Sequence, residues 1–184
     1  AFPGGVRTAR ELPHPQQELL QRIVALGKPT VLVLLNGSAL AVNWADANVP
    51  AIRKAWYPGQ AAGTAIADVL FGAYNPGGRL RVTFYRSVDD LPPFEEYAMV
   101  GRTYRFFDGT PLYPFGHGLS YSTFEYADLR ADSRTVTPGD TLRVQVDVTN
   151  TSPVAGDEVV QLYVRYPEGG VERPRLELQG FRRV

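Results

Sequence analysis

Cysteine is absent from the sequence, which excludes disulfides, thiolate metal sites and thiol nucleophiles. Lysine is almost absent, since only Lys28 and Lys54 accompany 17 arginines. An excess of one charge is missing too, because 19 basic residues balance 19 acidic residues. A chain without a net field does not attract polyanions, so we expect neither nucleic acid nor an anionic membrane surface as a partner.

Long apolar runs are missing as well, since none approaches the roughly 18 residues of a membrane-spanning helix. The first residues, Ala1 to Gly5, lack a starting Met and the basic and apolar regions of a signal peptide. This start predicts a chain cut out of a longer protein. The composition, 44% hydrophobic and 21% charged, is typical of a globular protein with a substantial core.

Helix and strand patterns alternate over the first third of the chain. Pro15 suits the first turn of a helix, and Gly27 followed by Pro29 ends it. Between them an apolar stripe recurs at helical spacing, at Leu19, Leu20, Ile23, Val24 and Leu26. The run from Thr30 to Leu35 is apolar without alternation, which predicts a strand covered on both faces, as in a parallel sheet.

A second set of helices and a strand follows. The patterns predict a short helix near 42–47, a strand from Ala51 to Tyr57 and a helix from Ala61 to Phe71 that ends at Gly72. This rhythm is typical of an α/β layered domain with a mostly parallel sheet. Four side chains are predicted to be buried in it, namely Val31, Val33, Leu34 and Ile66.

Proline, glycine and aromatic residues dominate the segment from Asn75 to Tyr126, which has no clear periodicity. A stretch of this length is unusual inside a compact domain, so we interpret it as a long ordered connector. Its aromatic side chains either anchor it to the surface beneath or stack against sugar rings, and we favour the first alternative. They are Tyr104, Phe106, Phe107, Tyr113, Phe115, Tyr121 and Phe124.

The last third of the chain follows an all-β pattern. Apolar residues alternate with polar ones from Leu142 to Val148, which predicts a strand with one buried face and one wet face. Two further strands are predicted at 158–165 and 176–181, the first of them after a turn-rich stretch at 150–156.

Histidine chemistry has few candidates. His14 lies beside a predicted helix start, where capping or solvent exposure is the expected role, and His117 lies between two glycines, where we expect a structural role. A serine hydrolase would need a nucleophile on a strained turn, and no G-x-S-x-G motif occurs. Serine hydrolysis is therefore disfavoured.

Two acidic pairs, Asp89-Asp90 and Glu95-Glu96, invite a glycosidase hypothesis. That chemistry needs two carboxylates about 5–10 Å apart across the scissile bond. Neighbouring carboxylates on a loop are more typical of a solvated turn. A complete hydrolase that uses Glu95 or Glu96 is therefore the least favoured hypothesis.

Six blocks of the sequence are more specific: LPHPQQELL, KPTVLVLLNGSAL, WYPGQAAGTAIADVLFG, NPGGRLRVTF, LPPFEEYAMVGRTYRFFDGTPLYPFGHGLSYSTFEY, and GDEVVQLYVR with the closing LQGFRRV. Together they cover nearly the whole chain. In order and spacing they resemble family 3 glycoside hydrolases, closest to the bacterial β-glucosidases and β-xylosidases.

The resemblance implies a fold and a division of the chain. Members of this family carry a (β/α)8-type barrel, then an α/β sandwich, then often a fibronectin-III-like domain. Residues 1–125 are expected to be the back half of the α/β sandwich domain with its aromatic exit segment, and residues 126–184 an incomplete fibronectin-III-like domain. A full sandwich of that type takes about 100 residues and seven strands, whereas this part has 59 residues. We therefore expect uncovered strand edges and no closed sandwich.

The resemblance also implies a mechanism without a cofactor or metal. A barrel Asp attacks the anomeric carbon, a loop Glu protonates the leaving oxygen, and the Glu then activates water. The family's Glu precedes a G-G-D-R-T segment, which reads Gly4-Gly5-Val6-Arg7-Thr8 here, with Val6 in place of the Asp. The chain is therefore expected to start after the catalytic Glu, to contain no catalytic residue, and to be inactive without the missing barrel domain.

Three residues are predicted to reach the substrate cleft. Ligands of α/β sheets bind beyond the carboxyl ends of the strands, where Asn36 and Tyr57 are predicted to lie, and Phe2 is nearest in sequence to the acid/base loop. The implied substrate is a terminal β-linked glucose or xylose of an oligosaccharide or glycoside. A non-catalytic module that binds carbohydrate or protein is the alternative. The compartment is left open, since the resemblance is compatible with secreted, periplasmic and cytoplasmic bacterial enzymes.

Overall fold

The computed structural model describes residues 10–167 and 173–184. Phe2 and Val6 therefore lie outside the described residues. The elements, in chain order, are α1 His14–Val24, β1 Val31–Leu34, α2 Asn43–Asn48, β2 Ala51–Lys54, α3 Ala62–Leu70, a 3₁₀ turn Val88–Asp90, α4 Thr103–Phe106, β3 Phe124–Ala131, β4 Val144–Asn150, β5 Val159–Val164 and β6 Glu177–Arg183.

The first helix follows the predicted pattern. A proline lies in its first turn, and Gly27 adopts a left-handed φ of 67° just past its end, a conformation that favours glycine. Of the apolar stripe only Leu20 is buried, whereas Leu19 and Leu26 are exposed. One edge of the stripe thus packs on the core and the other faces outward.

The predicted parallel sheet is confirmed. Strands β1 and β2 pair in parallel, with Val31 opposite Ala51 and Leu34 opposite Lys54. Strand β2 is shorter than predicted, because Trp56 adopts a positive φ of 55° that leaves the extended conformation. Within the described ranges no third strand pairs with β1 or β2.

The burial predicted for this sheet is only partly correct. Leu34 is buried, and Val33 and Ile66 are half-buried. Val31 is 45% exposed, so its predicted burial is wrong. Val31 is the first residue of β1, in a sheet of only two strands within the described residues. The unbroken apolar run therefore overstates how completely the strand is covered.

The hydrophobic core lies beside this sheet and is completed from far along the chain. Its members are Leu20, Leu34, Leu40, Val42, Ala45, Val49, Phe84 and Leu112. Phe84 is only 1% exposed and lies in the connector, where its backbone N–H donates to Tyr113 O at 2.9 Å. The connector therefore supplies part of the core, in addition to lying over its surface.

The last third forms two antiparallel pairs, β3 with β4 and β5 with β6. The alternation at Val144, Val146 and Val148 is confirmed as a half-buried face of β4. Strand β3 was not predicted. In the part of the chain that the structure describes, the two pairs do not join into a closed sandwich, which agrees with the expectation. No helix there is long and apolar enough to cross a membrane.

Candidate functional site

The carboxyl ends of β1 and β2 meet at one edge of the parallel pair. Asn36 and Gly37 follow β1, while Trp56 and Tyr57 follow β2, whose last residue is Lys54. These five residues are called the carboxyl edge below. It is the position at which α/β sheets bind their ligands. The structure thus brings the predicted Asn36 and Tyr57 to one place.

Asn36 is buried, at 7% exposed, and its polar atoms are engaged within the protein. Its Nδ2 donates to Ser38 O at 2.7 Å, which closes the turn after β1. Its backbone oxygen and its Oδ1 both accept hydrogen bonds from Lys54 Nζ. Asn36 therefore fixes the turn, and a direct contact with a sugar stays a prediction.

Tyr57 is 72% exposed and offers the most accessible ring of the carboxyl edge. Its ring lies against Gly37, where an added Cβ would come within 2.6 Å of Tyr57 Cε2. The missing side chain at position 37 is therefore what lets the ring approach the turn. Its contact with a substrate also stays a prediction.

Two cations approach the ring of Trp56. Lys54 Nζ is 4.4 Å and Arg81 Cζ is 4.9 Å from the indole ring, both within the range of cation–π attraction. Neither Lys54 nor Arg81 forms an ion pair with a carboxylate in the residues that the structure describes. Burial lowers the pKa of Lys54 to about 8.

Sequence reasoning missed Lys54, Trp56 and Arg81. The only local signal was that Lys54, one of two lysines in the sequence, lies two residues before Trp56. The contact with Asn36 depends on the register that pairs Lys54 with Leu34, and no local pattern encodes that register. Arg81 arrives from a separate segment of the chain.

A second polar cluster joins the α/β part to the β part. Arg79 Nη2 and Glu158 Oε2 lie 2.5 Å apart, with side chains only 12% and 11% exposed. Tyr126 donates from its hydroxyl to Glu158 Oε1 at 3.0 Å. Desolvation first, and then the Glu158 contact, raise the pKa of Tyr126 to about 12.

Asn75 extends this junction with its side-chain amide. Its Nδ2 donates to Ser122 Oγ and to Ala155 O, both at 2.8 Å. Its Oδ1 accepts from Ser120 Oγ at 2.9 Å and from Tyr121 N at 2.8 Å. One amide thus makes four hydrogen bonds across the connector and the loop before β5, which fixes their relative position.

The acidic pairs serve their own loops. Asp90 Oδ2 accepts from Arg86 N at 2.9 Å and Ser87 N at 3.0 Å, as the reciprocal half of a capping box. Glu96 Oε1 accepts from Ala98 N at 3.2 Å in an exposed loop. Both observations agree with the interpretation of these carboxylates as turn residues.

The two histidines also behave as expected from their surroundings. His14 is exposed at the start of α1. His117 stacks on Tyr113, with ring centroids 5.2 Å apart, and its backbone oxygen accepts from Leu80 N at 2.8 Å. Burial, and then the nearby Arg79, lower the pKa of His117. It holds two parts of the connector together, the segment around Leu80 and the loop around His117.

The aromatic connector residues pack largely against protein. Tyr104 stacks on Phe115 with centroids 4.2 Å apart and meets the edge of Tyr163 on β5. Its hydroxyl accepts from Leu178 N at 3.2 Å. These contacts favour the anchoring hypothesis over sugar stacking for this part of the run.

Comparison with known families and proteins gives a consistent result. The sequence pattern described as "Glycosyl hydrolase family 3 C-terminal domain" matches residues 5–121, and the one described as "Fibronectin type III-like domain" matches residues 158–184. The chain is 48% identical to a xylan 1,4-β-xylosidase of Xylanibacter ruminicola, over 100% of this chain and 21% of that protein. It is 40% identical to a periplasmic β-glucosidase of Salmonella typhimurium, over 97% of this chain and 25% of that protein.

Solved structures agree with the sequence comparisons. A β-glucosidase of Erythrobacter marinus superposes with a TM-score of 0.85 at 46% identity, over 100% of this chain and 25% of that one. β-Glucosidase 3B of Thermotoga neapolitana, in complex with glucose, gives a TM-score of 0.86 at 35% identity, over 97% and 27%. The chain thus spans between a fifth and about a quarter of the length of these proteins.

Proposed function

The chain belongs to glycosyl hydrolase family 3, and from this we propose that it is part of a retaining β-glycosidase that releases terminal β-linked glucose or xylose from oligosaccharides or glycosides. The observation that carries the proposal is the similarity of the entire chain to proteins named as β-xylosidases and β-glucosidases. Identity does not separate the two sugars, because two named β-xylosidases are 48% and 44% identical and the β-glucosidase of Erythrobacter marinus is 46% identical.

In this proposal the chain contributes one wall of the substrate cleft. The carboxyl edge presents Tyr57 to the outside, and Asn36 holds the turn against which its ring lies. An exposed tyrosine ring is suited to lie along the apolar face of a pyranose. Phe2 is proposed as a further contact from outside the described residues. Residues 1–125 are proposed to belong to the α/β sandwich domain and residues 126–184 to the fibronectin-III-like domain.

Retaining hydrolysis needs a nucleophile and an acid/base about 5–5.5 Å apart. We propose that both come from outside residues 1–184, from a barrel Asp and from a Glu on the loop that leads into Gly4. Several carboxylates of this chain are already engaged, Glu158 by Arg79 and Tyr126, and Asp46 by the Tyr113 hydroxyl at 2.6 Å. Such pairing occupies the carboxylate with protein partners, which suits a structural role.

A second candidate function has one observation in its favour. The loop at 93–102 exposes Phe94 and Tyr97, which are 90% and 91% exposed. Arg102 organises this loop, because its guanidinium donates to Pro93 O at 2.9 Å, to Glu96 O, and to Ala98 O at 3.1 Å. A preorganised loop with two free rings favours a carbohydrate-binding module that needs no catalytic carboxylates.

The test compares the 184-residue chain with the same chain joined to the sequence that precedes it in its gene. We expect the isolated chain to release no nitrophenol from β-xylosides or β-glucosides, and the longer protein to do so. Turnover by the isolated chain that a Glu95→Gln, Glu96→Gln double variant abolishes would contradict the proposal. In the longer protein, Tyr57→Ala should raise KM, while Tyr97→Ala leaves it unchanged. Glycan binding by the isolated chain that depends on Tyr97 would instead support the second candidate.

A further inference from the structure

We propose that Lys54 is a positioning residue that fixes the Asn36–Ser38 turn and the Trp56-Tyr57 segment relative to each other, and thereby sets the shape of the cleft wall. The inference rests on the proposed function for its consequence in catalysis. The geometry on which it rests is independent of that function, since it consists of contacts among the carboxyl edge and Arg81.

The first part of this geometry is the link from β2 to the turn after β1. Lys54 ends β2 opposite Leu34, the last residue of β1. From there Lys54 Nζ donates to both oxygens of Asn36, one on the backbone and one on the side chain. Two hydrogen bonds from one ammonium to one residue define both the position and the orientation of the turn.

The second part is the link from Lys54 to the segment that follows it. The ammonium lies 4.4 Å from the Trp56 ring, whose residue holds a left-handed backbone conformation with φ of 55°. A bulky residue keeps that conformation only when its surroundings hold it there. Lys54 on β2 and Arg81 from the connector, 4.9 Å from the same ring, contact the indole and hold it there.

The third part connects both links to the exposed ring. Tyr57 follows Trp56 directly and rests on Gly37, the residue after Asn36. Lys54 therefore reaches Tyr57 by two routes, through the turn and through the indole. Displacement of either the turn or the indole moves the ring that is proposed to meet the substrate.

Charge is part of the arrangement. A protonated amine has three donors, enough for two oxygens and an approach to a π face, and it attracts the indole as a cation. The groups near it are neutral oxygens on the β1 side and the guanidinium of Arg81, which approaches the same indole, with no carboxylate ion-paired to Lys54 in the described residues. A neutral amine keeps two weaker hydrogen bonds and loses the cation–π attraction. Burial places this change near pH 8.

The kinetic test uses the longer protein that carries this chain, with Lys54→Met, Lys54→Arg and the matched control Lys28→Met at the other lysine of these 184 residues. Loss of the two hydrogen bonds to Asn36 and of the contact with Trp56 predicts that Lys54→Met raises KM about tenfold with kcat within about twofold. Lys54→Arg should restore most of the loss, and the wild-type KM should rise above pH 8 while that of Lys54→Met stays flat. A KM for Lys54→Met equal to that of Lys28→Met would overturn the proposal.

A measurement on the 184-residue chain separates this inference from the proposed function. Lysine labelled with ¹³C at Cε gives two signals, and Lys28→Met identifies the one that belongs to Lys54. We expect the backbone amide signals of Asn36, Gly37 and Tyr57 to shift with the same midpoint, near pH 8, as the Lys54 signal. In Lys54→Met they should not titrate in that range. If they titrate unchanged in Lys54→Met, the proposal is wrong, whatever the longer protein hydrolyses.

Discussion

The carboxyl edge and the junction between the α/β part and the β part handle their cations in opposite ways. At the junction, Arg79 is paired with Glu158, and both side chains are nearly buried. At the carboxyl edge, Lys54 contacts neutral oxygens and an indole, which Arg81 also approaches, and neither cation forms an ion pair within the described residues. Paired charges in a buried cluster hold two parts of a fold together. Where a cation contacts only neutral groups, as Lys54 does, its protonation can change with pH and alter the surface around it.

The largest effect on stability is expected from breaking the junction. Glu158→Ala leaves Arg79 nearly buried without its carboxylate, which costs about 3–5 kcal/mol when one partner of a buried pair is removed. Denaturant unfolding of the 184-residue chain measures the loss. Glu18→Ala is the control, because the exposed pair of Glu18 with Arg22 contributes only about 0.3–0.5 kcal/mol. Equal losses in the two variants would contradict the assigned role of the junction.

A smaller loss is expected when a side chain is added inside the junction. A Cβ at Gly156 would collide with Asn75 Nδ2 and would lie 2.7 Å from Ser122 Oγ. Gly156→Ala should therefore destabilise the chain by about 1–3 kcal/mol, the usual cost of overpacking. Gly63→Ala in α3 is the matched control, because nothing lies within 4 Å of its added Cβ. It should be stabilising by about 0.5–1 kcal/mol, as is usual for glycine in a helix.

The two regions should also respond to alkaline pH with opposite signs. The pKa of Lys54 is about 8 in the folded protein, below its ordinary value of 10.5. The unfolded chain thus holds more protons between these values, and the Lys54 contribution to the unfolding free energy rises with pH. The pKa of Tyr126 is raised from 10.0 to about 12. Its contribution is present below pH 10 and falls as pH increases toward 12.

Unfolding curves recorded from pH 7 to pH 12 test these signs in variants that lack each group. Compared with wild type, Lys54→Met should lose the rise between pH 8 and 10.5, and Tyr126→Phe should lose the fall between pH 10 and 12. Tyr126 is about half exposed, but its hydroxyl contacts the buried Glu158. The fall between pH 10 and 12 is expected because of desolvation and of this contact. If the unfolding free energy depended on pH in the same way in both variants, the predicted opposite responses of the carboxyl edge and the junction would be wrong.

The smallest effect on stability is expected at the carboxyl edge itself. A Cβ at Gly37 would meet the ring of Tyr57, yet that ring is exposed and can turn aside. Gly37→Ala should therefore change the unfolding free energy by less than about 0.5 kcal/mol, as surface substitutions do. In the longer protein it should raise KM, because Tyr57 leaves the turn. A loss as large as that of Gly156→Ala would mean that the carboxyl edge is structural, like the junction.

The sequence allowed the fold to be predicted best where local patterns are strong. The apolar run from Thr30 to Leu35 and the glycine at position 27 predicted the parallel pair and the end of α1, because both depend on neighbouring residues. Strand β3 was missed, since Phe124–Ala131 mixes charged and apolar residues and directly follows the aromatic connector. Asn36 and Tyr57 were placed together through a general property of parallel sheets. Lys54 was missed because its role depends on strand register.

The Phe84–Leu112 contribution to the core has a consequence for how the protein is made. Residues 20–49 supply six of the eight buried core members, but Phe84 and Leu112 close it, and Leu112 N donates to Phe84 O at 2.7 Å. On the ribosome, the early helices and strands must therefore wait for Phe84 and Leu112, which lie 50 and 78 residues after Leu34, the last residue of β1. A polypeptide that stops at Gly72, where the helix–strand rhythm ends, should emerge without a closed interior and be degraded. Any shortened version of this protein needs to extend past Tyr113 to fold.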